Sequence, residues 1–376
     1  MKSVSRAPET SATAGRLARL RTRLAQAKLP AVLVTYLPNV GYLSGFRGSA
    51  GALLISRREQ VLFSDFRYRL QAAQQAPEFR FFEVHRNSLA SMAQEVKRLG
   101  FEQVGFEAHQ LTVEQLRRLR AGARGVRWQP AGELVEGLRQ VKEPAEIAQI
   151  ARAARLTDRA FAYMRTLIAV GKTEREIALA GQLFMLQAGA KEMPFDLIVG
   201  AGAHGALPHA QSGPRRIKHG DLVVIDIGLR LPSGYCSDLT RTVAVGRAAD
   251  WQRDLHAIVR AAQQQALQAL RPGAVAAEVD GVARAVITEA GYGEYFGHGL
   301  GHGVGLELHE GPRLAATDCT VLQAGMVVTV EPGIYLPGRG GVRLEELVMV
   351  TAEGYRLLSH APNPKKLPVI QAGEVR

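Results

Sequence analysis

The sequence predicts two domains: a smaller α/β domain over residues 1–138 and a larger α+β domain over residues 139–376. Three observations carry this. The first third alternates short apolar runs of strand character with amphipathic helical stretches. The remainder gathers strands and helices into runs that do not alternate strictly, which favours α+β over a parallel sheet. Between them, around residues 134–142, the pattern lapses. A helix start follows at Glu143-Pro144-Ala145-Glu146, with proline in the first turn and acids near the N-terminus.

In the first domain, residues 1–14 are polar and lack an apolar h-region, so they read as a frayed tail and not a secretory signal. Residues 16–28 have helical spacing and 31–35 read as a strand. Residues 52–56 and 60–64 form a hairpin pair, 67–76 a helix, 79–84 a strand and 89–100 a helix. Short strands at 103–106 and 126–129 flank a helix at 113–121.

In the second domain the helix opened at Glu143 runs through Ile147, Ile150, Ala154 and Leu156 toward Met164. Thr173 and Glu176 form a capping box that opens another helix, ended by Gly189. Strands follow around 195–199, 221–228 and 240–245, then helices at 254–270 and 275–290. Gly291, Gly293 and a glycine-rich stretch break the pattern before the last strands.

Composition narrows the function. Of 376 residues, 47% are hydrophobic and 22% charged, and no run reaches 18 apolar residues; this is a soluble globular chain without a transmembrane helix. Cys236 and Cys319 alone make no disulfide scaffold, which fits the cytoplasm. The net charge of +12 raises the question of a polyanionic partner. Yet 38 of the 47 basic residues are arginines scattered along the chain, and the densest groups, 16–23 and 117–127, have helical spacing without interleaved aromatics. They read as solvated helix faces, so neither a nucleic acid nor a membrane partner is expected.

The chemistry is carried by carboxylates inside apolar runs. Asp226 stands in Leu222-Val-Val-Ile-Asp226-Ile-Gly228, Glu331 in Val327-Val-Thr-Val-Glu331-Pro332, and Glu345 in Val342-Arg-Leu-Glu345-Glu-Leu-Val-Met-Val350. An ionised carboxylate buried alone costs several kcal/mol, roughly, and is kept where it is paired or binds a metal. Asp238 lies 12 residues after Asp226, across a hairpin connection at Pro232-Ser-Gly-Tyr235, so the two acids can face each other on paired strands. Glu331 precedes a Pro-Gly turn at a strand end. Singly, each has an ordinary reading as a turn, surface or ion-paired residue. Together with His302 in His298-Gly-Leu-Gly-His302-Gly-Val-Gly-Leu-Glu-Leu-His309, they make a set of four carboxylates and one imidazole. Such a set suits two divalent cations of hard to borderline character: manganese first, with cobalt and zinc compatible. Two dications nearly balance four carboxylates. At roughly 3.5–4 Å apart they can make a hydroxide at neutral pH and clamp a tetrahedral intermediate.

The runs Asp226-Ile-Gly, Gly234-Tyr-Cys-Ser-Asp238-Leu-Thr-Arg-Thr, His298 to Pro312, Glu331-Pro-Gly-Ile-Tyr335 and Gly341-Val-Arg-Leu-Glu345 resemble the pita-bread metallopeptidases, and within them the Xaa-Pro peptidases, prolidase and aminopeptidase P. Tyr42-Leu-Ser-Gly-Phe-Arg-Gly-Ser49 and Ser64-Asp-Phe-Arg-Tyr68 look like the N-terminal domain of creatinase and aminopeptidase P relatives, so the likeness spans nearly the whole chain. One departure is an Asp226–Asp238 spacing one residue longer than is commonest in the family; the extra residue falls in the turn at Pro232-Ser233.

The resemblance implies a pita-bread catalytic domain behind a creatinase-type domain. It implies five metal ligands, Asp226, Asp238, His302, Glu331 and Glu345, with Asp238 and Glu345 bridging, and attack by a metal-bridging hydroxide. Glu331 would also shuttle the proton. His209, in Ala206-Leu-Pro-His209, would contact substrate near the scissile bond, with His298 and His309 as its companions in binding substrate and stabilising the intermediate. Arg343 would meet the substrate carboxylate or support the site, with Tyr335 beside it. A homodimer is implied as well.

Proline at the second position removes a backbone N–H and fixes φ, so an Xaa-Pro bond calls for a dedicated pocket. A dipeptidase must hold a carboxylate directly after proline. Arg47, in Gly45-Phe-Arg47-Gly-Ser49, where relatives often carry a small polar residue, is the candidate for that role, from the same chain or from a partner subunit. The expectation is therefore an Xaa-Pro dipeptidase, with an Xaa-Pro aminopeptidase acting on longer peptides as the alternative. Creatinase shares the fold but lacks the ligand set, and a metal-free pita-bread binding protein is the remote reading.

Overall fold

In the computed structural model, which describes residues 7–85 and 89–371, the chain falls into two compact units, Met1–Arg139 and Gln140–Arg376.

The first unit is built on one six-stranded sheet. Helix α1 (Ala7–Gln26) leads to β1 (Ala31–Val34), α2 (Leu37–Ser44), β2 (Ala52–Ser56), β3 (Gln60–Ser64), α3 (Arg69–Gln75) and β4 (Arg80–Glu83). Then come α4 (Leu89–Arg98), β5 (Gln103–Phe106), α5 (Val113–Gly122), β6 (Arg127–Pro130) and α6 (Glu136–Arg139). The strand order is β4-β3-β2-β1-β5-β6. The β1–β2 and β2–β3 pairs are antiparallel, and the pairs with β4, β5 and β6 are parallel. Leu33, Leu54, Val61, Phe63, Val104 and Trp128 join Met92, Val96 and Leu119 of α4 and α5 in its core. The frayed tail expected over residues 1–14 is corrected from Ala7 onward, because α1 already begins there; residues 1–6 lie outside the described residues. No local periodicity marks the short helix α2. The N–H groups of Thr35 and Tyr36, just ahead of it, donate to the buried carboxylate of Glu107, at 2.7 and 2.8 Å.

In the second unit, α7 (Pro144–Leu167) and α8 (Glu174–Gln187) precede β7 (Ile198–Ala201), β8 (Leu222–Arg230) and β9 (Cys236–Val245). Helices α9 (Asp250–Ala269) and α10 (Ala276–Glu289) follow. The rest is strand: β10 (Gly301–Gly303), β11 (Glu310–Leu314), β12 (Val327–Val330), β13 (Gly333–Leu336), β14 (Gly340–Arg343), β15 (Glu346–Val350), β16 (Tyr355–Leu357) and β17 (Val369–Ile370). The sheets are β17-β9-β8-β7, β11-β10-β12-β15-β16 and the ribbon β13–β14. Only the short β17–β9 pair is parallel; every other named pair in this unit is antiparallel.

The expected capping box closes as read: Thr173 N–H donates to Glu176 at 2.7 Å and Glu176 N–H to Thr173 Oγ1 at 3.1 Å. The strand expected at 195–199 starts three residues later, at Ile198. Phe195 leaves the strand to pack on Gly228, where a Cβ would come within 2.6 Å of its ring. Helix α9 starts four residues earlier than its periodicity indicates, because the Gln252 side chain accepts from Ala249 N–H at 2.8 Å and caps the end.

Two cores flank the β8–β9 hairpin. Val223, Ile225, Ile227 and Leu229 of β8 and Leu239 and Val243 of β9 pack with Phe161, Met164, Ile177 and Met185 of α7 and α8. Because side chains alternate along a strand, the even-numbered residues of both strands turn to the opposite face. Asp226, Asp238, Thr240 and Thr242 are among them.

Candidate metal centre

Asp226 pairs with Thr240 and Gly228 with Asp238, so the two aspartates are diagonal neighbours on one face, displaced by two residues along the strands and not directly opposed. The diagonal leaves space between their carboxylates. The turn that sets this register has Gly234 at φ 93°, a conformation a side chain disfavours.

Glu331 follows the end of β12, and its N–H is held by Leu300 O at 2.8 Å. Thr329 Oγ1 donates to Glu331 Oε1 at 3.1 Å and accepts from His302 N–H at 3.0 Å, tying the two side chains' strands together. Glu345 occupies the bend between β14 and β15. Its N–H donates to Thr240 O at 3.0 Å, its Oε2 accepts from Thr240 Oγ1 at 2.9 Å, and its carbonyl accepts from Arg241. Glu345 Oε1 is buried with no hydrogen-bond partner.

One oxygen each of Asp226, Asp238 and Glu345 lies within 4.8 Å of the others. His302 completes the ring: its Nε2 is 3.3 Å from Glu331 Oε1 and 3.6 Å from Asp238 Oδ2. Its Nδ1 is 3.0 Å from Gly303 O, so the proton sits on Nδ1 and the Nε2 lone pair faces the carboxylates. A lone pair aimed at carboxylate oxygens is repulsive unless a proton or a cation stands between them.

The electrostatics say the same. Burial, and then the charge of Asp226, push Asp238 well above the usual carboxylate range. Burial, and then Asp238, Glu331 and Asp226, do the same to Glu345. Asp226 is raised by burial, against the pull of Arg343. Burial opposes the charge on His302, but the hydrogen bond and charge of Glu331 and the charge of Asp238 outweigh it and lift the imidazole to about 9. Glu331, resisted by burial, is held down to about 2 by His302. Without cations this cluster balances itself with protons; the carboxylate oxygens, the unpartnered Glu345 Oε1 among them, and His302 Nε2 are atoms that divalent cations could take in place of those protons.

Around this ring, Arg343 Nη2 lies 2.5 Å from Asp226 Oδ2, its Nη1 donates to Tyr335 Oη at 2.7 Å, and its Nε donates to Thr240 Oγ1 at 3.2 Å. Arg343 and Glu345 thus both reach Thr240. Burial raises the Tyr335 phenol to about 12, so it stays protonated. Tyr335 Oη is 2.9 Å from His298 Nε2, while His298 Nδ1 donates to Gly299 O at 2.8 Å. His298 is lowered by burial and accepts from the phenol. The His309 ring centroid is 4.2 Å from that of His302; enclosure of the ring, and then the charge of His302, press His309 down to about 4. His209 is exposed in the loop after β7, and its charge is felt by both His298 and His309. Arg47 is exposed on the loop after α2 in the first unit, where its N–H donates to Gln75 Oε1 at 2.9 Å.

Sequence reasoning passed over four supporting residues. Thr240 and Arg241 seat Glu345 by its backbone and side chain. Lys142 Nζ, with a side chain only 1% exposed, lies 2.8 Å from Glu310 Oε1, next to His309. Glu174 is the fourth, a fully buried carboxylate at the start of α8. The period of two from Asp238 could have indicated Thr240; the others carry no local signal. Among the described residues no helix is long and apolar enough to cross a membrane.

Known proteins share this layout. Residues 148–352 match the model of metallopeptidase family M24, and residues 16–141 match the creatinase/prolidase N-terminal domain. The Xaa-Pro dipeptidase of Pyrococcus horikoshii is 37% identical over 334 residues, covering 88% of this chain and 93% of that protein. A solved Xaa-Pro dipeptidase from Bacillus anthracis superposes with a TM-score of 0.91 at 38% identity, covering 95% of this chain and 100% of that one. The X-Pro aminopeptidase from Thermotoga maritima gives a TM-score of 0.85 at 34% identity over 94% of this chain and 99% of that one. With its carboxylate–imidazole ring on a pita-bread domain, the chain belongs to metallopeptidase family M24, carrying a creatinase/prolidase-type domain ahead of the catalytic one.

Proposed function

We propose that this metallopeptidase is an Xaa-Pro dipeptidase that hydrolyses the bond before proline in dipeptides. The observation that carries the chemistry is the convergence of Asp226, Asp238 and Glu345 within 4.8 Å, with His302 Nε2 between Asp238 and the carboxylate of Glu331. The proline specificity is supported by relatives named Xaa-Pro dipeptidase at 37% and 46% identity.

Asp226, Asp238, His302, Glu331 and Glu345 would hold two divalent ions, manganese being our assignment. The pair would polarise the scissile carbonyl and generate a nucleophile from water at neutral pH. Glu331, ionised at neutral pH, takes the proton from that water and gives it to the departing nitrogen, which as part of a tertiary amide has no proton of its own. We assign His309 and His209 as donors to the developing oxyanion and the substrate. His298, bonded to Tyr335 of the Arg343–Tyr335 chain, is assigned to lining the substrate site. We assign Arg343 to holding Asp226 in its ligating rotamer and Arg47 to pairing with the dipeptide's carboxylate. The chemistry belongs to the catalytic domain, residues 139–376, which follows the creatinase-type domain, residues 1–138. The working form is a cytoplasmic homodimer.

A manganese-loaded preparation is expected to cleave an Xaa-Pro dipeptide in preference to an Xaa-Pro-Xaa tripeptide, with EDTA abolishing turnover. Arg47→Ala is expected to raise KM for the dipeptide about 10-fold or more, the order of a lost charge-assisted bidentate contact. The likeness to the T. maritima aminopeptidase supplies the second reading. Preference for the tripeptide, unaffected by Arg47→Ala, would select that reading.

A further inference from the structure

Glu174 is 0% exposed, and the chemistry above does not use it. Its Oε1 accepts from Ala201 N–H at 2.8 Å and its Oε2 from Gly213 N–H at 3.1 Å. His204 Nδ1 lies 3.0 and 2.8 Å from the two oxygens and donates to them. Arg215 Nε is 4.0 Å from Oε1 and donates to Ala201 O at 2.6 Å. The backbone adds two bonds, Glu174 N–H to Arg215 O at 3.1 Å and Arg175 N–H to Gly213 O at 3.0 Å.

These partners are the two stems of one loop. Ala201 ends β7, Gly213 and Arg215 lie on the returning limb, and His209 stands between them. The far end of the same loop is tied to the metal centre, since Arg343 Nη1 donates to Pro208 O at 3.3 Å while its Nη2 holds Asp226. Burying a carboxylate to close a loop is costly, and a neutral acceptor would suffice for closure alone. Charge-assisted bonds to both stems are about twice as strong as neutral ones and fix the stems more tightly. A misplacement of about 1 Å at a reacting group can cost on the order of 100-fold in rate.

We propose that Glu174 is a positioning residue that sets His209 against the metal centre by clamping both stems of the loop that carries it. This rests on the substrate-contacting role given to His209 above.

The test compares Glu174→Gln, Glu174→Asp, His209→Ala and the Glu174→Gln/His209→Ala double variant. In Glu174→Gln an amide N–H₂ must face one of the N–H donors, while Glu174→Asp keeps the charge. The expected result is a fall in kcat/KM of about 10- to 100-fold for Glu174→Gln, the usual range for a residue that orients another. Metal content stays at two ions per chain, amide exchange quickens over residues 202–212 alone, and Glu174→Asp recovers most of the loss. The double variant should be no slower than His209→Ala by more than about twofold, because both changes act through one group.

Multiplying losses in the double variant, with His209→Ala impaired, would overturn the role of Glu174 and leave that of His209 standing. Wild-type kinetics in His209→Ala would overturn both. Should Glu174→Gln not fold, His204→Ala removes one of the clamp's donors and is held to the same non-additivity with His209→Ala.

Discussion

Glu331→Gln is expected to lower kcat/KM by roughly 1,000-fold or more, in the upper half of the roughly 100- to 10,000-fold range of a lost acid–base group. Two functions go at once. Glutamine cannot carry a proton from water to the departing nitrogen, and its amide offers one neutral oxygen where Glu331 offers an anion held down to about 2 by His302. Steady-state kinetics at saturating manganese, together with metal analysis of the variant, checks this. A variant that keeps most of its activity would remove Glu331 from the proton path.

The second large effect is on stability. Metal-free protein is expected to become less stable as pH rises from about 4 to about 9, while metal-loaded protein is not. Asp238 and Glu345 hold protons more tightly in the folded state, through burial first and neighbouring carboxylates second. Above their unfolded pKa, near 4, the unfolded chain releases its protons more readily and stability falls with pH. His302 adds to the trend. Its contribution is complete below an unfolded pKa near 6.5 and is lost as pH climbs through about 9. Glu331 acts only at the acid end, as pH drops from near its unfolded value of 4.5 toward about 2. Cations replace these protons, so the gain in Tm on loading should be larger at about pH 8 than at about pH 5. At metal concentrations of about 1,000 Kd the gain approaches roughly 4 kcal/mol. Equal gains at the two pH values, by differential scanning calorimetry with and without EDTA, would contradict the proton-for-metal exchange.

Three of the clustered acids stand out in the sequence because each breaks a rule locally, whereas Asp238 lies in a polar run. Asp226 interrupts a β run whose other residues are apolar, and Glu331 and Glu345 do the same near their strand ends. Only metal or a partner excuses that, so the anomaly itself is the signal. The supporting residues break no local rule. Arg241 in β9 looks like an edge-strand arginine until its guanidinium is seen bonded to Glu345 O and to Ala361 O at 2.8 Å, each more than 100 residues away. Glu174 reads as an ordinary acidic first-turn residue, and its partners at Ala201 and Gly213 are set by tertiary packing alone. The same limit applies to the fold. Strands β8 and β9 follow from apolar runs, whereas the helix start at Ala7 and the displacement of Phe195 onto Gly228 depend on neighbours that periodicity does not see.

The most direct test is a titration of metal-stripped protein with manganese, following bound metal and Xaa-Pro dipeptide cleavage together. Activity should rise from zero and level off at two ions per chain, with Asp238→Asn binding fewer and remaining inactive. Full cleavage with no metal bound, or two bound ions without cleavage of either dipeptide or tripeptide, would contradict a two-metal Xaa-Pro peptidase.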